Sequence, residues 1–78
     1  MDELPDFVKM VYREMDDATE KFGPLASPHE AYAVMQEELD EFWDLVKEKR
    51  ASGPEALHEL VQIAAMAYRT AIDERLAR

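Results

Sequence analysis

The chain reads as all-α: an antiparallel bundle of three main helices, completed by oligomerisation. Three observations predict this. Apolar residues recur at three- and four-residue spacing along three stretches, and nowhere does the chain alternate as a strand would. Proline-bearing helix-start signals stand before the second and third stretches, at Ser27-Pro28 and Ser52-Gly53-Pro54. Finally, 78 residues without a cysteine form a small domain with no disulfide and no thiolate-bound zinc to brace it, which leaves self-association as its support.

The first helix carries Leu4, Phe7, Val8, Val11, Met15, Ala18 and Phe22 on one face, with Pro5 suited to its first turn and Gly23-Pro24 ending it. A short turn, Gly23 to Ser27, follows. In the second helix Ser27 caps, Pro28 takes the first helical position and Glu30 completes a capping box. Its core stripe is expected to be Ala31, Met35, Leu39, Phe42 and Val46, with Lys47, Lys49 and Arg50 in the last turns, where cations suit the helix dipole. The third helix begins at about Pro54. From Leu60 to Tyr68 every residue but Gln62 is apolar or aromatic, so more than one side of this helix seeks cover and a second subunit is expected on part of it. The whole, residues 1–78, is expected to be one domain and a homodimer or higher homo-oligomer.

Composition excludes partners more readily than it identifies them. With 18 acidic residues against 9 basic ones, the formal charge is −9. A nucleic-acid binder needs a basic patch, and an anionic membrane would repel this surface. No stretch reads as a signal peptide or a membrane span, so the expected location is cytoplasmic. A polyphosphate substrate requires cations between the two sets of negative charge.

The acidic residues are grouped. Glu37, Glu38 and Glu41 crowd one another on the second helix, with no Lys or Arg at three- or four-residue spacing, and Glu59 is similarly placed on the third. Each like-charge pair costs a helix roughly 0.2–0.5 kcal/mol, a penalty that a divalent cation would remove. Folding the chain about Ala51-Ser52 sets Glu41 level with Gln62, Asp44 level with Glu59 and Glu38 opposite Ala65. A cluster of Glu38, Glu41, Glu59 and Gln62, edged by Glu37 or Asp44, follows from that register. Oxygen-only donors suit Mg²⁺, or Mn²⁺. A solvated acidic face is the plain alternative.

At these residues the chain resembles the MazG-like, all-α nucleoside triphosphate pyrophosphohydrolase superfamily. That family pairs Glu-Glu-x-x-Glu on one helix with Glu-x-x-Asp on the next. Here the halves are Glu37-Glu38-Leu39-Asp40-Glu41 and Glu59-Leu60-Val61-Gln62, set among Lys21-Phe22-Gly23-Pro24, Ser27 to Val34 and Gln62 to Ala67. Gln62 stands where the family has Asp, and an amide brings no charge and does not readily bridge two ions. The resemblance implies metal-dependent hydrolysis of a nucleoside triphosphate to the monophosphate and pyrophosphate, in a site built between subunits. Glu38, Glu41, Glu59 and Gln62 would be metal ligands, and Glu37 the residue that orients or deprotonates water, with Glu38 and Glu41 completing the catalytic set. Phosphate-facing cations are sought among Lys21, Lys47, Lys49, Arg50 and Arg69, and a base-stacking ring among Phe22, Tyr32, Trp43 and Tyr68.

Two other function classes compete. One is a non-catalytic helical oligomer, an interaction module that keeps the bundle with a degenerate metal site, which Gln62 favours. The other is an acidic mimic of nucleic acid, against which stands Glu59, placed directly before an apolar run. Glu55-Ala56-Leu57-His58 has the spacing of di-iron bundles but occurs once, so His58, like His29, reads as a surface residue.

Overall fold

The computed structural model describes residues 3–23 and 27–73, with side-chain surroundings from residue 6 onward. Three helices account for them, α1 (Glu3–Phe22), α2 (Pro28–Lys47) and α3 (Pro54–Asp73), and there is no strand among the described residues. Each helix has a local stop or start. Gly23 ends α1 at φ 70°, in the left-handed region that glycine enters without penalty, and its N–H bonds Thr19 O at 2.9 Å. Ser27 caps α2 in extended conformation, its Oγ accepting from Glu30 N at 3.1 Å. The α2 end is closed by paired bonds, Lys49 N to Val46 O at 3.1 Å and Arg50 N to Leu45 O at 2.8 Å, with Lys49 left-handed at φ 60°. Gly53 O, rather than Ser52, accepts the first bond of α3, from Leu57 N. Pro24 and the rest of the first turn, and the side chains of Leu4 and Pro5, lie outside the described residues.

The helices form a layer with α3 in the middle. Both α1 and α2 pack on α3 and not on each other. The buried core is thin: Ala31 and Leu45 from α2, and Ala56, Val61, Ala65 and Met66 from α3. Leu45 takes the place expected of Leu39, which is 48 % exposed, while Met35, Phe42 and Val46 are half-buried. The reason is helical phase: Ala31, Glu38 and Leu45 are seven apart and share the face against α3, whereas Leu39 lies about a quarter-turn away. On α1, Phe7, Val11, Met15 and Ala18 are half-buried, but Val8 and Phe22 are exposed. No described helix is long and apolar enough to cross a membrane.

Candidate functional site: an acidic seam opening into a cleft

Because α1 and α2 stand apart, a cleft of about 560 Å³ opens between them over α3. Gln62, Ala65, Met66 and Arg69 form its floor. Glu14, Ala18 and Phe22 line one wall, and Glu30, Val34 and Glu38 the other. Apolar walls with a few polar groups at defined points are the usual make-up of a small-molecule site.

Among the described residues, Glu38 is the most strongly perturbed titratable group. Its place between Ala31 and Leu45 on the inward face of α2 forces it towards α3, and its Oε1 is buried without a hydrogen-bond partner. Burial first, and then the charges of Glu59, Glu41, Glu14 and Glu37, raise its pKa from 4.5 to about 7. Glu59 Oε1 is buried and partnerless in the same way. Burial lifts the Glu59 pKa, reinforced by hydrogen bonding to Glu41 and by that residue's charge, with His58 opposing. Next to the cleft, a shallower depression of about 500 Å³ gathers Glu41, Asp44, Glu55, His58 and Glu59.

The sequence-expected acids therefore meet along the α2–α3 seam. Glu41 lies beside Glu59, Asp44 shares the shallower depression with Glu59, and Glu38 shares the cleft with Gln62 and Ala65. Glu37 is exposed, and Asp44 is engaged by Lys47 at 3.2 Å. Among the described residues, no three His, Asp or Glu side chains stand close enough as placed to hold a metal ion.

Of the expected cations, Lys21 and Lys49 are exposed, and the other three are engaged within the chain. Arg50 pairs with Glu48 at 2.9 Å and with Glu55, bracing the turn. Lys47 pairs with Asp44 and lies 5.9 Å from the centre of the exposed Trp43 ring. Arg69 is buried, its Nη2 donating to Gly23 O at 2.7 Å and its Nη1 approaching Met66 Sδ at 3.8 Å. Of the expected stacking rings, Phe22 stands exposed at the cleft, Tyr32 is exposed on α2, and Tyr68 packs edge-on to Tyr12 at 5.7 Å. His29 and His58 are exposed.

An acid that acts on Glu38 is not among the residues expected from sequence. Glu14 of α1 faces Glu38 across the cleft and contributes to its raised pKa. Its signal was present: Glu14 sits three after Val11 and four before Ala18, an acid within an otherwise apolar face. Comparison with protein-family models, with curated proteins and with solved structures finds nothing that matches this chain.

Proposed function

We propose that the acidic seam binds a hard divalent cation, Mg²⁺ or Mn²⁺, and that with it the cleft hydrolyses a nucleoside triphosphate to the monophosphate and pyrophosphate. The observation that carries this reading is the pair of buried, partnerless carboxylate oxygens on Glu38 and Glu59. Leaving such acceptors unsatisfied costs about 1–3 kcal/mol each, more if they are charged. The donor set fits the group: oxygen ligands only, from Glu38, Glu41 and Glu59, with the Gln62 amide beside them. Side-chain rotation is needed to bring them onto one ion, since they do not converge as placed.

The bound cation would supply charge neutralisation for the phosphates and acidify a water molecule. The chain's own contribution is separable. Glu37, exposed and adjacent to Glu38, is free to orient a water or take its proton. Ala18, Val34 and Ala65 present an apolar surface to a base or sugar, with Phe22 at the cleft for stacking. The resemblance to MazG-like pyrophosphohydrolases supports the choice of reaction.

The test is thermal unfolding with Mg²⁺ or Mn²⁺. Metal at ten times its Kd adds about 1.4 kcal/mol, several degrees in Tm for a domain of this size, and Glu41→Gln removes most of the gain. An unmoved melting curve at millimolar metal removes the basis of the reading. Pyrophosphate release from a panel of canonical and damaged nucleotides, lost in Glu38→Ala, tests the reaction itself.

A second reading has specific support. Lys47, Arg50 and Arg69 all have partners within the chain, and Gln62 lacks the charge expected at its position. Both points favour a non-catalytic interaction module. Gln62→Asp separates the two: enhanced turnover identifies a weakened catalyst, and none on any nucleotide supports the module.

A further inference from the structure

We propose that the cleft takes the base of its nucleotide and selects guanine, read by Arg69 on the floor and Glu30 on the α2 wall. This rests on the nucleotide reading of the cleft and names the base within it.

The starting observation is a buried charge without a counter-ion. Arg69 is 6 % exposed and lines the cleft, and among the described residues no carboxylate is within ion-pairing distance of it. A guanidinium stays charged and carries several N–H donors. Nη2 gives one to Gly23 O at 2.7 Å, while Nη1 meets the thioether Met66 Sδ, a weak acceptor, at 3.8 Å. Burying a charge so poorly matched is costly, so Nη1 calls for a better acceptor from a ligand.

That acceptor is not a phosphate. Glu14, Glu30 and Glu38 line the same cleft, so a phosphate here would meet three carboxylates against one guanidinium. A neutral ring oxygen or nitrogen carries no such penalty, and the apolar cleft walls suit a base. The phosphates belong at the other end. Gln62 lies two turns before Arg69 on α3, ~10 Å along the helix axis, and one turn from Glu59 of the acidic seam.

Glu30 stands at the Arg69 end. Gly23, which Arg69 holds, is four residues before Ser27, whose Oγ accepts from Glu30 N. This end therefore offers a donor together with a group that only accepts. Guanine matches both. Its O6 and N7 accept, and N1–H and the N2 amino group donate along the adjoining edge, where one carboxylate takes both. Adenine sets an amino group where guanine has O6, donor against donor. Cytosine does the same, and uracil has a single N–H for the carboxylate. Phe22, 76 % exposed at the cleft, is available to stack on the ring.

Titration of the full chain with nucleoside 5′-monophosphates and Mg²⁺, followed by calorimetry, tests the proposal. The guanosine compound should bind roughly 10-fold tighter than those of adenosine, cytidine or uridine, the loss expected when a hydrogen bond to a charged group is broken. Inosine monophosphate, which lacks only the amino group, should fall between guanosine and adenosine. Glu30→Gln keeps a residue suited to the capping box, and it should bring guanosine down to the level of inosine. Should circular dichroism show that this variant has lost its helices, the ranking in the wild type still decides. Adenosine monophosphate binding as tightly as guanosine overturns the proposal. So does a guanosine-over-inosine preference that survives Glu30→Gln, or no binding of any monophosphate at millimolar concentration. The reaction is judged separately: pyrophosphate release without guanine preference removes this proposal alone, and guanine preference without release removes the hydrolase reading alone.

Discussion

The two sides of α3 are made from one apolar run, yet they do opposite things. Towards the cleft, Gln62 and Arg69 interrupt the run, and the helices on either side add Glu14, Glu30 and Glu38. Towards the outside, Leu60 and Ala67 are exposed and Ala64 is half-buried. The cleft side holds the buried, unpartnered Oε1 of Glu38, a polar cost that a donor or a cation would relieve. The outer side holds apolar area in water, a cost that only another surface relieves. A single helix thus carries a polar side on the cleft and an apolar side on the outside, and a substitution on either side should leave the other intact.

The largest expected break on the cleft side is Arg69→Ala. It removes a charged hydrogen bond to Gly23 O and the packing of a long buried stem, and it should cost about 2–3 kcal/mol in urea unfolding. Arg69→Lys should recover part of this. An unchanged urea midpoint would mean that Arg69 does not hold the α1 end against α3.

Glu38→Gln comes next, read as a pH profile. The folded pKa, about 7, lies above the unfolded value of 4.5. The unfolded chain therefore releases this proton first, and stability falls as pH rises from 4.5 to about 7, then levels. Solvent screening reduces the effect to on the order of 1 kcal/mol. Glu38→Gln should flatten that slope and raise Tm at pH 8, and in the metal-free wild type added Mg²⁺ should recover Tm at pH 8 more than at pH 5. A slope that persists in the variant would locate the titration elsewhere.

The smallest effect lies at the turn between the two helices. Lys49 is left-handed, a conformation that strains a side chain with a Cβ, so Lys49→Gly should stabilise by about 0.5–1 kcal/mol. Its response to metal and its sedimentation should match the wild type. A change in either would couple the turn to one of the faces.

The helices were legible because their boundaries are written in local chemistry: Gly23, Ser27-Pro28 and Gly53-Pro54 act through dihedral preference and capping alone. The grouping of Glu38, Glu41 and Glu59 was legible too, from spacing and a short turn. The closure of α2 was not, because a lysine rather than a glycine adopts the left-handed position there. Leu39 misled for a related reason. Apolar residues occupy two adjoining flanks of α2, and periodicity alone does not say which flank meets α3 and which meets the outside. Arg69 read as a free cation because its acceptor is a backbone carbonyl 46 residues away, which no side-chain pattern reveals.

The separation of α1 from α2 has a dynamic consequence. Since α1 is fastened to α3 alone, it can lift away while the α2–α3 hairpin stays folded, and its amides should exchange with deuterium sooner than those of the hairpin. Such lifting would bare the α1 wall of the cleft, Glu14, Ala18 and Phe22, without unmaking the carboxylate pair at Glu41 and Glu59, which belongs to the hairpin alone.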